Sequence, residues 1–373
     1  MRNIMRSRLF FLIAVIFVTG CLPDGDLKIS VNYEPRDVGD GWEIASAGSH
    51  GFNTDKLQDI YDMMFSEDNY ITSRSLLIVR NGKIISESYF RDINDISRKE
   101  NVMGVTKGVT SILTGMGWDQ DLFNVEDRLY RYIPGYFDGD MNKRDMTVGH
   151  MLTMTIGLEW DHQSHNADLF NFRRFPSTLR IVLTKPFLAA SGFSFNYNPG
   201  PPQLAMGVLK HSLNRALGDT VTYESTDTIV NQLFGPLGID DFVWEQHSDG
   251  LHIGGLGLHI RPRDLARIGQ LCLQKGWWEG NQLVSSEWIK FSTMMHIAPE
   301  DTGSSLGYGY FWWIHKDNNA YFVMGDGGQY LYIVPDRNMV VVHTANPSVG
   351  SGYNGIELDD FFALVNMIMD AIE

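Results

Sequence analysis

The sequence predicts an α+β fold in which one antiparallel sheet is assembled from both ends of the chain, with a mostly helical lobe inserted between them. Near the start, two apolar runs in residues 75–90 flank Asn81-Gly82, a pair that favours the type I′ turn of a β-hairpin. Near the end, residues 330–343 form a second hairpin pattern around a proline-containing turn. Strands joined by hairpins pair antiparallel, and such a sheet needs helices to cover its faces.

The other predicted elements follow in chain order. Residues 53–66 carry apolar side chains on one helical face, and residues 103–116 also have a helical pattern. A third helix is expected after Gly200. The aromatic run at 308–314 predicts a strand, and residues 356–372 predict a closing helix.

These patterns divide the chain into two lobes. Residues 46–118 and 250–373 are expected to form the sheet lobe, and residues 119–249 the mostly helical lobe. A ligand cleft is expected between them, because binding sites often lie at such boundaries. Residues 21–45 are polar and contain several prolines and glycines, which predicts a tether.

The first twenty residues are predicted to be a signal peptide of a lipoprotein. A basic start is followed by an apolar run at 9–18, which is too short to span a bilayer. The run ends in Val18-Thr19-Gly20-Cys21, which looks like a bacterial lipobox. That resemblance implies cleavage before Cys21 and lipidation of its thiol. The alternative is an ordinary secretory signal in which Cys21 has no special role.

Composition limits the classes of partner. The chain has 373 residues, of which 43% are hydrophobic and 20% charged, so it can bury a sizeable core. The formal net charge is −15 and no run of basic residues occurs. Nucleic-acid binding is therefore disfavoured, because it requires a basic face. Cys272, the only cysteine besides Cys21, is predicted to be a buried structural thiol on a helix.

Five segments, in the right order, resemble those of the penicillin-recognising serine hydrolases. This family includes class C β-lactamases, DD-peptidases, related esterases and aminohexanoate-oligomer hydrolases. The matching segments are residues 103–111, similar to the Ser-x-x-Lys helix start, 147–157, similar to TxxHLLTMTSG, 195–200, similar to the tyrosine motif, and the later segments 263–269 and 325–329. The resemblance covers roughly residues 45–370 and implies the β-lactamase/DD-peptidase fold.

The resemblance also implies an acyl-transfer site, but this chain departs from it at the nucleophile. Gly104 occupies the serine position, so no hydroxyl can attack there. The family's proton-transfer residues are matched by Lys107 and Tyr197. Pro199 replaces the third residue of the tyrosine motif, and Asp326 stands where the family usually carries Lys or His. Asp326 would repel anionic β-lactams and peptides by about 1 kcal/mol in water and more in a cleft.

Other candidate site residues follow from the same resemblance. Gly327, Gly328 and Gln329 follow Asp326, and the backbone N–H of Gln329 corresponds to the second oxyanion donor. Trp160 is the further aromatic expected to contact a ligand near Tyr197.

Replacement nucleophiles are poorly placed on the predicted helix. Thr106 lies about 200° round the helix from position 104, away from the face that carries Lys107. Ser111 is on the correct face but lies roughly 10 Å deeper than position 104, because each residue advances 1.5 Å. Thr110 is nearly as deep. Lys107 is itself an amine that could attack a carbonyl if it were desolvated.

No cofactor or metal is predicted. The two histidines in residues 161–168 share a helical spacing, but this segment is interpreted as a solvated loop. Residues 254–257 are glycine-rich without a phosphate-binding pattern and predict close backbone packing. The tryptophan pairs at 277–278 and 312–313 are interpreted as core and lobe-packing residues rather than a sugar platform.

The leading hypothesis is a lipid-anchored envelope protein of this family, impaired or inactive in acyl transfer, that binds a cell-envelope peptide or a small acyl or amide ligand. One alternative is an active esterase, amidase or peptidase, through another nucleophile or with Gly104 a substitution. A second is a structural lipoprotein. The residue after Cys21 is Leu22 and not the aspartate that often retains lipoproteins at the inner membrane. In a Gram-negative source this favours the periplasmic side of the outer membrane.

Overall fold

The computed structural model describes residues 31–171, 176–218, 222–300, 305–346 and 355–373. The predicted signal peptide and Cys21 lie outside these residues. The described strands are β1 Ser73–Arg80, β2 Lys83–Tyr89, β3 Glu100–Asn101, β4 Val243–Trp244, β5 Leu258–Ile260, β6 Trp277–Trp278, β7 Asn281–Gln282, β8 Leu306–Tyr308, β9 Trp313–His315, β10 Ala320–Gly325, β11 Gln329–Val334 and β12 Met339–Ala345. The described α-helices are α1 Thr54–Ser66, α2 Thr106–Asp119, α3 Val148–Leu152, α4 His162–Leu169, α5 Thr178–Leu183, α6 Gly200–Leu217, α7 Asp227–Phe234, α8 Pro262–Leu273, α9 Ser286–Ser292 and α10 Leu358–Asp370.

One seven-stranded antiparallel sheet has the order β2-β1-β12-β11-β10-β9-β8. The two chain ends meet where β1 pairs with β12, with Leu77 opposite Val342. The predicted sheet built from both termini is therefore confirmed. The first hairpin turns at Asn81 (φ 52°) and Gly82 (φ 79°), and positive φ at both central residues is the signature of a type I′ turn.

Helices cover both faces of this sheet. Successive side chains on a strand point to opposite faces, so Leu331 and Tyr330 on β11 face different helices. Leu331 lies against Gly269 of α8. Tyr330 stacks on Phe361 of α10, with 3.8 Å between ring centroids. The sheet is thus buried between α8 and α10, as an α+β fold requires.

The helix α2 is the central element between the sheet and the helical lobe. Every residue from 106 to 117 is buried, although the helix contains Lys107 and several hydroxyl side chains. Glycines let large neighbours approach its backbone. The indole of Trp288 lies where a Cβ on Gly115 would be, and its Nε1 donates to the Ser111 carbonyl (3.0 Å). Gly108, in the first turn, lies equally close to Trp312 and Val323, so α2 is held in place from several sides.

Three local predictions differ from the structure. Residues 308–314 do not form one strand, because the Gly309 N–H donates to the Trp312 carbonyl (2.8 Å) and Phe311 adopts a φ of 67°. The chain therefore turns back, and β8 pairs with β9. The segment 161–168, predicted as a loop, lies mostly in α4. Trp277 is 50% exposed rather than packed in the core, whereas Trp312 is fully buried as predicted.

The C-terminal part of the predicted tether packs on the sheet lobe instead of hanging free. The guanidinium of Arg263 is almost fully buried and pairs with Glu87 (3.0 Å) and Asp40 (2.8 Å). The Trp42 indole N–H donates to the Arg263 carbonyl (3.1 Å), and Ile44 bridges to Ile84. The polar composition of the segment did not reveal these contacts, because the partner residues are at least 40 positions away in the sequence.

Cys272 is 1% exposed on α8, as predicted, and burial raises the pKa of its thiol. Among the described residues, none of the helices combines the length and apolar character needed to cross a bilayer.

We expect Glu87→Gln to lower the free energy of unfolding by about 1.5–3 kcal/mol, because the buried Arg263 loses one of its two carboxylate partners and keeps only Asp40. The matched control is Glu43→Gln, since Glu43 forms an exposed pair with Lys83 and such pairs contribute about 0–1 kcal/mol. Urea unfolding at neutral pH measures both. Equal effects of the two substitutions would contradict the structural role assigned to the Arg263 contacts.

Candidate functional site

A cavity of about 480 Å³ lies where the start of α2 meets the end of β10. The tyrosine motif and the segment before α10 complete its wall. Its lining residues are Gly104, Lys107, Asn166, Tyr197, Asn198, Pro199, Leu256, Met324, Gly325, Asp326, Gly327, Gly328, Tyr330, Ile356, Glu357 and Leu358. The structure therefore brings together most of the site residues selected from the sequence, from positions more than 200 residues apart.

Lys107 and Tyr197 converge on the Cα of Gly104. A Cβ built on Gly104 would lie 3.0 Å from Lys107 Nζ and 3.1 Å from the Tyr197 hydroxyl oxygen. The Lys107 ammonium lies 4.4 Å from the centre of the Tyr197 ring. Two groups able to transfer protons thus surround the point from which a serine side chain would project.

The space for that side chain is occupied by protein backbone. A Cβ on Gly104 would overlap the carbonyl oxygen of Met324, at the end of β10. The Tyr197 hydroxyl is 3.4 Å from the same oxygen, to which it donates. Gly325 is equally close to α2, since a Cβ there would lie 2.8 Å from the Gly104 nitrogen and would overlap the Val102 carbonyl. The strand and the helix approach each other through glycine on both sides.

Burial shifts the ionisation of both proton-transfer groups. Desolvation lowers the pKa of Lys107 to about 8, and the nearby Asp326 carboxylate opposes part of this effect. The Lys107 ammonium donates to the Gly255 carbonyl (3.3 Å). Desolvation raises the pKa of Tyr197, whose ring packs against Tyr308 and Trp313. At neutral pH Lys107 is therefore mainly charged and Tyr197 is protonated.

The hydroxyls near the start of α2 are all directed elsewhere. Thr106 donates to the Met103 carbonyl (2.6 Å), Thr110 to the Gly254 carbonyl (2.6 Å), and Ser111 to the Tyr310 carbonyl (2.6 Å). None of the three lines the cavity.

The glycine-rich segment 254–257 packs closely, as the sequence predicts. Gly254 abuts the backbone of Pro202, and Gly255 abuts Pro199. Both glycine carbonyls accept hydrogen bonds from α2, so the segment fixes the position of Lys107.

Two residues predicted to contact a ligand do not line the cavity. Trp160 packs behind the tyrosine motif against Gly200, and its indole N–H donates to Asn166 (2.8 Å), which does line the cavity. The Gln329 side chain turns away to β12, where its amide donates to the Ala345 carbonyl (2.6 Å) and accepts from the Ala345 N–H (3.2 Å). Trp160 therefore positions a neighbour, and the Gln329 side chain anchors the loop. The oxyanion role of the Gln329 backbone N–H stays a prediction.

The loop 326–328 is also held by a buried histidine. His343 on β12 is fully buried; its Nδ1 lies 2.6 Å from the Gly328 carbonyl and its Nε2 lies 3.0 Å from the Ser73 hydroxyl. The carbonyl can only accept, so Nδ1 carries the proton and donates, while the serine donates to Nε2. Burial lowers the pKa of His343 to about 4.

Several lining residues were missed by the sequence reasoning. Met324 directly precedes the recognised 325–329 segment, and Asn166 lies in the segment taken for a loop. Ile356, Glu357 and Leu358 follow β12, and no local pattern marks them as near Gly104. In the described part of the chain, no group of His, Cys, Asp or Glu side chains has the arrangement of a metal site.

The neutral His343 makes stability pH-dependent. Its folded-state pKa of about 4 is below the ordinary value of about 6.5, so unfolding takes up a proton between these values. Stability is full above pH 6.5 and falls as the pH drops toward 4. We expect His343→Gln to reduce the loss of unfolding midpoint between pH 7 and 4.5, measured by urea titration. Parallel pH profiles for wild type and His343→Gln would contradict this assignment.

Comparison with known proteins gives the same fold. A putative 6-aminohexanoate-dimer hydrolase from Bacillus anthracis superposes with a TM-score of 0.69 at 18% identity, covering 92% of this chain and 89% of the other. A penicillin-binding protein homologue from Caulobacter crescentus superposes with a TM-score of 0.65 at 15% identity, covering 85% and 97%. At these identities the likeness shows the β-lactamase/DD-peptidase fold.

Two sequence comparisons extend this result. An uncharacterized protein of Alkalihalophilus pseudofirmus is 22% identical over 319 residues, which are 75% of this chain and 86% of the relative. The family model named Beta-lactamase matches residues 64–356, which is most of the chain and includes both the α2 start and the β10–β11 loop. The chain therefore belongs to the Beta-lactamase family of serine hydrolases.

Proposed function

We propose that this protein is a lipid-anchored envelope member of the family whose cleft binds a peptide or a small acyl or amide compound without Ser-x-x-Lys acyl transfer. The observation that carries the proposal is at Gly104. The nucleophile position has no side chain, and the Met324 carbonyl takes up the volume where a serine side chain would project. A chain that had lost only the hydroxyl would leave that volume open.

The oxyanion site is altered in the same way. Family members bind the developing oxyanion between the backbone N–H of the nucleophile and one from the late strand. Here the end of β10 lies so close that a Cβ built on Gly325 would be 2.8 Å from the nitrogen of Gly104. An acyl carbonyl has little access to that N–H while the end of β10 stays in place. Loss of the nucleophile and obstruction of the oxyanion donor together support a binding role.

The charges in the cleft favour a neutral or cationic ligand. Asp326 and Glu357 both line the cavity and both are exposed. The opposing cation, Lys107, is only 3% exposed and loses its charge near pH 8. A carboxylate-bearing ligand would meet two carboxylates at the mouth before it reached the lysine. A ligand with an amine would be attracted by these carboxylates, and a neutral amide would not be repelled by them.

The envelope location rests on the N-terminal sequence. We propose cleavage before Cys21, lipidation of its thiol, and a position on the periplasmic side of the outer membrane if the source is Gram-negative. The fold begins its packing by Tyr33, which is buried, so the tether between the lipid and the domain is short.

One alternative function has a specific observation in its favour. Lys107 has a pKa lowered to about 8 and its Nζ lies near the Gly104 Cα, so a fraction of free amine is available at neutral pH. An amine nucleophile would make the protein an amidase or esterase through a lysine adduct. Against it, the Nζ is nearly enclosed and hydrogen-bonded to the Gly255 carbonyl.

The first experiment tests acyl transfer by the purified full-length chain and its Gly104→Ser variant. Each is offered p-nitrophenyl acetate, nitrocefin and a fluorophosphonate, and intact mass detects any adduct. We expect no adduct on the native chain. We also expect none on Gly104→Ser, because the new side chain overlaps the Met324 carbonyl, and we expect that variant to lose about 1–3 kcal/mol of stability through overpacking.

The matched control is Gly135→Ser, since nothing lies within 4 Å of a Cβ at Gly135. A wild-type adduct would disprove the binding-only proposal, and peptide mapping to Lys107 would establish the lysine alternative. Rapid acylation of Gly104→Ser without loss of stability would show that the end of β10 does not obstruct the site.

A second experiment tests the charge preference of the cleft. We expect the amide of D-Ala-D-Ala, a cation at pH 7, to raise the unfolding temperature more than D-Ala-D-Ala itself, because Asp326 repels the carboxylate. Asp326→Asn should narrow this difference, while Asp336→Asn, in the turn at the opposite end of β11, should leave it unchanged. Stronger stabilisation by the carboxylate form would contradict the proposed preference.

A further inference from the structure

A second cavity, of about 330 Å³, lies on the sheet lobe and shares no lining residue with the cleft. Residues 40–43 of the N-terminal segment, the turn at Gly82, the helix α8 and the strand β6 form its walls. Residues 235–238, from the helical lobe, close one side. Its volume falls within the range of ~300–1,000 Å³ that is usual for small-molecule sites.

Two tryptophans line this pocket. Trp42 and Trp278 are both partly buried, and the N–H of Trp42 donates to the Arg263 carbonyl (3.1 Å), which fixes the orientation of its ring. The neighbouring Trp277 does not line the pocket, although it is more exposed. An indole offers a rigid, flat apolar face at little entropic cost, which suits the carbon-bound hydrogens of a sugar ring.

Two amides stand side by side in the same wall. Gln270 and Gln274 are four residues apart at the end of α8, so they share one helical face. Gln270 is only 4% exposed, and within the described residues its Oε1 has no hydrogen-bond donor. Buried polar atoms are nearly always paired, so this oxygen lacks a donor that a water or a ligand hydroxyl would supply. A ligand hydroxyl can donate to the amide oxygen and accept from the amide nitrogen.

Three of the charged groups of the pocket are already compensated within the protein, and the fourth, Glu279, is an exposed carboxylate that can accept a hydrogen bond from a ligand hydroxyl. Asp40 pairs with Arg263 (2.8 Å), and Arg267 pairs with Asp264 (2.6 Å). Glu43 pairs with the lysine that begins β2 (2.9 Å). An anionic ligand would have to displace one of these pairs and would meet the Glu279 carboxylate, whereas a neutral polar ligand would not.

We propose that this pocket binds a neutral saccharide, with one sugar ring against Trp278 and its hydroxyls on Gln270 and Gln274. The site is independent of the cleft and would attach the protein to a glycan while the cleft remains accessible to its own ligand. The proposal does not depend on whether the cleft is catalytic.

The test is calorimetric titration of the purified full-length chain with maltotriose, cellotriose and N,N′,N″-triacetylchitotriose, in a detergent without a sugar headgroup. We expect saturable binding of at least one of them. Trp278→Ala should weaken its affinity at least tenfold, and the matched control Trp277→Ala should change it less than twofold. Lys107→Met, in the cleft, should also leave it unchanged.

Because Trp278 also contacts the core, Gln274→Ala serves as a second variant with an exposed side chain. It should weaken saccharide binding at least threefold without changing the unfolding temperature. The proposal is overturned if none of the three saccharides binds, if Trp277→Ala weakens binding as much as Trp278→Ala, or if Lys107→Met abolishes it. Binding of choline with no saccharide binding also overturns it, since that result would make the pocket a cation site.

Discussion

The arrangement of the candidate site depends on one close contact, between the 3₁₀ turn Met103–Val105 that leads into α2 and the end of β10. Gly104 and Gly325 lie against each other, and the Met324 carbonyl fills the space beside the Gly104 Cα. This approach is possible only because both positions lack a Cβ. The contact brings Lys107 and Tyr197 to the same point, yet it removes the room that a nucleophilic side chain would need. Retained proton-transfer groups therefore do not by themselves indicate catalysis in this protein.

The contact is maintained by elements on both sides of it. On the helix side, the carbonyls of Gly254 and Gly255 accept hydrogen bonds from α2. On the strand side, His343 holds the Gly328 carbonyl and Gln329 is anchored on β12. These groups are buried, and a buried hydrogen bond costs more to break than an exposed one because its partner is left without water. The cleft is thus a preformed site rather than one that must assemble around its ligand.

The two cavities differ in the charged groups that line them. The cleft places exposed carboxylates opposite a lysine whose charge is weakened by burial. In the tryptophan-lined pocket, by contrast, Asp40, Glu43 and Arg267 are each paired within the protein, and the remaining polar side chains are two amides and the exposed carboxylate of Glu279. The buried Arg263 connects this pocket to the N-terminal segment, because it binds both Asp40 and the sheet residue Glu87. The segment predicted as a tether is in this way a wall of the second cavity.

The sequence alone determined the features that depend on local pattern. The hairpin turn at Asn81-Gly82 and the helix α2 follow from neighbouring residues, because turn geometry and helical spacing are local. The absence of a serine at position 104 is read directly from the sequence. Only the tertiary structure decided what fills the space beside Gly104, that Asn166 rather than Trp160 lines the cleft, and that Glu357 faces it. These outcomes depend on backbone positions within a few tenths of an ångström between segments far apart in the chain. No local pattern encodes such distances, since they are set by how the packed core brings those segments together.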